Sequence, residues 1–136
     1  MNSIGMTVCA SGFGPRETMD RLVAAVTARG MAVLARIDHA GAAAKVGMEL
    51  RPTEVLIFGN PKAGTPLMQK AQTLGIDLPL KALVWEDERG KTWLGYNDPV
   101  WLAARHGADA GAEKILGAMT DVLAAVAEEA TSLTKG

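Results

Sequence analysis

The chain has 136 residues, 49% of them hydrophobic and 21% charged, a balance that argues against a disordered chain and suits one domain with its own core. Fourteen basic against fifteen acidic residues leave a net charge of −1, and aromatics are only 4%, so the cationic surplus and stacking surface that nucleic acid requires are both missing. One cysteine, Cys9, excludes an intramolecular disulfide, and no apolar stretch approaches the ~20 residues of a membrane span; the expected location, by exclusion, is the cytoplasm.

Met6–Cys9 predicts a short edge strand, broken by Gly12-Phe13-Gly14. Pro15 suits the first position of a helix whose apolar face carries Met19, Leu22, Val23 and Val26. Glu17 and Arg21 pair at i,i+4 on its outside, and Gly30 stops it. Met31–Asp38 alternates as a strand, with Val33, Ala35 and Ile37 opposing Leu34, Arg36 and Asp38. The small-residue segment from His39 to Gly47 is expected as a short helix, and Val55–Phe58 as a fully apolar strand.

That strand runs into Gly59-Asn60-Pro61-Lys62-Ala63-Gly64-Thr65-Pro66, a turn-rich loop that opens a helix. Thr65 is expected as its N-cap, Pro66 as its first residue, and Gly75 just past its end. Lys81–Trp85 predicts a third internal strand, and Glu86–Lys91 a hairpin turn with Gly90 in the left-handed region. Trp93, Leu94 and Tyr96 carry the returning strand. Asp98-Pro99 starts a short helix that ends at His106-Gly107, and a long helix is expected from about Asp109 to Ala130 on the spacing of Ala112, Ile115, Met119, Val122 and Val126. Residues 1–136 read as a single domain, with 1–5 and 131–136 as frayed ends.

The 59–66 junction is the leading candidate site, because the first turn of a helix presents free N–H groups and the positive end of its dipole. Gly59 and Gly64 have the spacing of a nucleotide-binding P-loop, but no lysine precedes Thr65, and Pro61 removes an N–H from the cradle. What remains is a small anion site formed by Asn60, Lys62, Gly64 and Thr65, to which Lys81 could add a charge; a tight turn built for backbone reasons is the alternative. His39, beside Asp38, is a candidate acid or base, though a histidine at a strand end commonly just bonds the local backbone. His106 reads as a partner of the last helical carbonyls, Cys9 as a buried inert thiol, and Glu86, Asp87 and Glu88 as a solvated hairpin tip. No pair of histidines has ligand spacing, so neither a metal nor a cofactor is expected.

Val55–Met68, Asp77-Leu78-Pro79-Leu80-Lys81 through Asp87, Trp93–Pro99 and Arg105-His106-Gly107, with Arg36–Ala40 upstream, together resemble the domain-of-unknown-function 302 family. The resemblance implies an α+β fold of the TATA-binding-protein-like type, an antiparallel sheet of about five strands with helices packed on one face, often as a homodimer. It brings no established activity, cofactor or catalytic residue. If the strands ending at Asp38 and Phe58 are antiparallel, His39 lies near the hairpin while Asn60, Lys62 and Thr65 approach Lys81 at the opposite edge. Three functions are therefore open: a domain binding a small anionic ligand, an enzyme using His39, or a homodimeric interaction module.

Overall fold

Five segments with an apolar residue at every second position pair into one sheet, and two long amphipathic helices cover one side of it. The structure, a computed structural model, describes residues 3–133. In chain order the elements are β1 (Met6–Ala10), α1 (Pro15–Ala28), β2 (Ala32–Asp38), α2 (His39–Lys45), β3 (Thr53–Gly59), α3 (Pro61–Lys70), a 3₁₀ turn (Gln72–Ile76), β4 (Leu80–Glu86), β5 (Thr92–Asn97), α4 (Pro99–Arg105) and α5 (Glu113–Thr131). The strand order is β1-β5-β4-β3-β2, and every neighbouring pair is antiparallel. The expected α+β class and five-stranded antiparallel sheet are thus observed, with β1 at one edge.

Alternation sorts the strands into two faces. Leu56 and Phe58 of β3, Leu80, Ala82 and Val84 of β4, and Leu94 and Tyr96 of β5 are buried toward the helices. Met19, Leu22 and Val26 of α1 and Leu116, Leu123 and Val126 of α5 complete this core. The helices pack against each other as well as on the sheet. Arg36 of β2 ties the two layers together: its guanidinium meets Asp20 of α1 at 3.0 Å and Glu54 of β3 at 2.7 Å.

The intervening residues, including Val55, Ile57, Leu83, Trp85 and Trp93, point to the other face, which no described helix covers as α1 and α5 cover the first. Trp85 and Trp93 stand directly opposite each other across β4 and β5. Gly95 leaves them room: a Cβ there would lie 2.8 Å from the Met6 Cε and 3.2 Å from the Trp85 ring, so both side chains would have to shift. The hairpin tip closes as expected, with Gly90 at φ 78° and the Asp87 carboxylate accepting from the Arg89 and Lys91 amides and, at 2.9 Å, from the Trp93 indole.

Three boundaries differ from the sequence expectation. Helix α3 begins at Pro61, with Asn60 as N-cap, so Thr65 and Pro66 lie inside it; it ends at Lys70, and Gly75 falls within the 3₁₀ turn. Helix α5 begins at Glu113 instead of about Asp109, because Gly111 adopts φ 79° and breaks the preceding turn. Asp98 occupies the N-cap position of α4, but its carboxylate accepts from the Thr7 hydroxyl at 2.5 Å and not from the helix. Of the ends expected to fray, residues 1–2 and 134–136 lie outside the described residues; Thr131 is buried, and its carbonyl accepts from Gly12 N–H at 2.8 Å.

The two faces should respond differently to truncation. Phe58→Ala removes a fully buried ring and is expected to cost about 3–5 kcal/mol. Leu83→Ala, on the open face, should cost clearly less. Urea unfolding of both variants checks this, and equal losses would show that the open face is packed in solution.

Candidate functional site

The end of β3 delivers the chain to the 59–66 junction, and Asn60 decides what happens there. Its backbone is extended, with φ −134° and ψ 116°, and its side-chain oxygen accepts from the Lys62 amide at 3.0 Å. Its carbonyl accepts from the Ala63 and Gly64 amides at 2.9 and 3.1 Å. Pro61 has no N–H to offer. The amides expected to converge on an anion are therefore consumed by Asn60, and the backbone cradle read from the sequence does not form.

The same residues instead border a cavity of about 580 Å³. Ala63, Gly64 and Met68 of α3 form one wall, Met31, Ala32 and Leu34 around the start of β2 a second, and Leu78, Pro79 and Leu80 leading into β4 a third. Ile115, Ala118, Met119 and Val122 of α5 close it. At Gly64 a Cβ would stand 3.6 Å from Leu78 Cδ1 on the facing wall, an ordinary van der Waals contact. The polar contribution comes from Asn60, Thr65, Lys62 and Arg29. Arg29 is already paired with Glu129 and the Ala25 carbonyl, whereas Lys62 has no ion pair or side-chain hydrogen bond to the described residues. Of the two cations at this border, Lys62 is the one without a side-chain partner among the described residues.

Of the residues singled out in the sequence, Asn60, Lys62, Gly64 and Thr65 meet at this cavity. Lys81 does not. Flanked by buried Leu80 and Ala82, it projects from the opposite face of the sheet, where its Nζ lies 3.4 Å from the Asp77 carbonyl. His39 and Asp38 are at the other end of β3, because β2 and β3 are antiparallel and Asp38 pairs with Glu54. The Asp38 carboxylate caps α2 through the Gly41 amide at 2.8 Å instead of being offered to His39. Burial pushes the Cys9 thiol up, against an opposing hydrogen bond from Thr131, which disfavours a reactive thiolate. Among the described residues no three His, Cys, Asp or Glu side chains group as metal ligands.

A second polar cluster was not read from the sequence. Asp77, which precedes the third internal strand, and His106, expected at a helix end, meet: His106 Nε2 donates to Asp77 Oδ2 at 2.5 Å. Arg105 grips both Asp77 oxygens at 2.9 Å, and the Thr73 hydroxyl lies 2.8 Å from His106 Nδ1. The His106 and Asp77 side chains are only 9% and 15% exposed. Burial works to raise the Asp77 carboxyl, but the hydrogen bond from His106 and the Arg105 charge outweigh it and hold the group below the usual carboxylate range. The available sequence signal was that Asp77-Leu78-Pro79 and Arg105-His106-Gly107 both belong to the segments carrying the family resemblance, although neither polar pattern had a strong local role.

A helix-backed antiparallel sheet with an apolar cavity at one end defines an α+β domain. The sequence profile of the family described as "Domain of unknown function DUF302" matches residues 7–126, and the chain belongs to that family. It is similar to a crystal structure described as an uncharacterized conserved DUF302 protein from Bacillus stearothermophilus, with a TM-score of 0.83 over 94% of this chain and 99% of that one, at 22% identity. It is also 45% identical over 115 residues to proteins named fluoride-specific ion channel FluC 1 in Brucella suis biovar 1 (strain 1330) and Brucella abortus biovar 1 (strain 9-941). The match covers 85% of this chain but only 45% and 43% of those relatives, so the chain spans less than half their length. Among the described residues no helix is long and apolar enough to cross a membrane.

Asp77→Asn is expected to lower folding stability by about 1–3 kcal/mol, since it weakens charge-assisted bonds to two partners. The folded carboxyl titrates below its unfolded value of about 3.9. Its contribution is therefore fully present above that value and is lost as pH falls through the depressed folded value. Thermal unfolding from pH 7 to pH 3 should show the variant's deficit shrinking at the acid end; a pH-independent deficit would contradict this account.

Proposed function

We propose that this domain binds a small amphipathic anion, a carboxylate with an apolar body, in the cavity between α3, α5 and the adjoining ends of β2 and β4. The observation that supports it is the pairing of a largely apolar volume of about 580 Å³ with one uncommitted cation, Lys62, at its border. Pockets of this size, with few polar groups placed at one side, suit small ligands. Each buried methylene of such a ligand contributes roughly 0.8 kcal/mol, and a charge-assisted bond to its head roughly 1.5–3 kcal/mol more. A compact anion such as phosphate would gain the second contribution alone.

In the FluC-named relatives, a channel must cross a membrane, and the segment shared with this chain has no described helix able to do so. On this reading the conducting part belongs to the remaining half of those proteins, and the shared domain serves them as a ligand-binding attachment.

A second reading concerns the uncovered sheet face. Val55, Ile57, Leu83, Trp85 and Trp93 form an apolar surface that no long helix of the described residues covers, and a second copy of this chain is the proposed occupant. Light scattering at high concentration should then give a dimer, and Trp85→Glu a monomer; a monomeric native protein would remove this reading.

For the cavity, a thermal-shift series with octanoate, octanol and phosphate separates the contributions. Octanoate is expected to raise Tm most, octanol less, and phosphate little. Lys62→Ala should weaken octanoate about tenfold, equivalent to about 1.4 kcal/mol, and leave octanol unchanged. Ala118→Trp, which fills the cavity, should abolish both responses. Identical responses in all three proteins would refute the proposal.

A further inference from the structure

Thr73, His106 and Asp77 form a hydrogen-bonded line from an exposed hydroxyl to a sheltered carboxylate, and neither the cavity nor the sheet face uses it. Its polarity follows from the geometry. Asp77 accepts from Arg105 with both oxygens and, as an ionised carboxylate, has no proton to give. The 2.5 Å contact with His106 must therefore be made by an N–H on Nε2. In the neutral imidazole that leaves Nδ1 with a lone pair, and the group 2.8 Å from it is the Thr73 hydroxyl, which donates. Hydroxyl, imidazole and orienting carboxylate are thus in the arrangement that activates a nucleophile by a neighbouring base, with the ring nitrogens in exchanged roles relative to the usual triad.

The surroundings divide into one closed and one open end. His106 and Asp77 are shielded, whereas Thr73 is exposed. In a 3₁₀ turn residues i and i+3 eclipse, so Thr73 shares its face with Ile76, which is 74% exposed and offers an apolar contact beside the hydroxyl. Thr73 does not line any of the described cavities, so a reactant must arrive from solvent and be small.

We infer that Thr73 is a covalent acyl-acceptor site, its hydroxyl activated by His106, which Asp77 holds in the required tautomer, with a small activated ester as the donor. Thr73 Oγ1 attacks the ester carbonyl while its proton passes to His106 Nδ1. The tetrahedral adduct then expels the alcohol, which takes that proton back. The C–O bond to Thr73 replaces the C–O bond of the ester, and nothing is oxidised or reduced. His106 is the base, Asp77 a positioning residue, and Arg105 holds Asp77.

The test uses p-nitrophenyl acetate on the full chain, reading nitrophenolate release in stopped flow and the acetylated peptide by mass spectrometry. The native protein is expected to release about one equivalent per chain in a burst and to carry acetyl on the peptide containing Thr73. Thr73→Val should remove that label, Thr73→Ser should restore it, and His106→Gln should slow the burst by about 100-fold, the lower end for general-base assistance. Because His106→Gln disturbs a sheltered bond, its fold is checked by circular dichroism; if it unfolds, the pair Thr73→Val and Thr73→Ser, both at an exposed position, decides. Acetyl found only on lysines, or Thr73 labelling unchanged in a folded His106→Gln, would overturn the inference. Neither outcome bears on ligand binding in the cavity.

Discussion

Strand β3 is antiparallel to both of its neighbours, and that pairing decides which chemistry can meet. Its seven residues, at about 3.4 Å each, separate the His39 end of the sheet from the Lys62 end by roughly 20 Å. A site combining the two is excluded by distance alone. The same pairing brings the end of β3 beside the start of β4, so the Asn60 turn and the Leu78-Pro79 segment become facing walls. Helix α5, packed across α1, then closes the space between them. The cavity is thus a product of strand direction.

Asn60 changes what that cavity can recognise. By accepting from three successive amides with its side chain and carbonyl, it satisfies the donors that a helix start otherwise leaves open. Pro66, inside α3, acts in the opposite sense, since it cannot supply the N–H that the Lys62 carbonyl would take one turn later. The polar inventory at the cavity border is consequently side-chain chemistry, dominated by Lys62, while the interior is aliphatic and sulfur-bearing. A charge moved into such a site needs its partner, and an apolar body needs none. For the proposed ligand, affinity would come mainly from the body, with the lysine selecting the head.

The sequence made the scaffold legible where patterning and punctuation agreed. Pro15 and Gly30 bracket α1, Gly90 turns the hairpin, and buried Leu56 and Phe58 match the apolar run of β3. It misled where the same signal occurred twice. Asn60-Pro61 and Thr65-Pro66 are both cap-plus-proline pairs, and the first wins because Asn60 ends the strand in an extended conformation with its side chain free to turn back. Asn60, Lys62, Gly64 and Thr65 meet at one cavity because they lie on one continuous stretch of chain. Lys81 was misplaced by a single step of strand alternation, which sends it to the opposite face from Leu80. The Asp77–His106 contact spans 29 positions between two irregular segments, where no local periodicity exists to reveal it.

That contact also joins the two sites mechanically. Asp77 immediately precedes Leu78 and Pro79, which line the cavity, while its carboxylate is fastened to Arg105 and His106 at the end of α4. The carboxylate that orients the imidazole therefore also pins one cavity wall to the helical layer. Loss of Asp77 acts on both sites together, through a released wall and a freed ring. Thr73 and Lys62 stand outside this coupling: the hydroxyl of the first bonds the imidazole, and the second lies on the far wall. Substitutions at those two exposed positions are the ones that would separate the proposed ligand binding from the proposed acyl transfer, because each removes a single chemical group without loosening the segment the two places share.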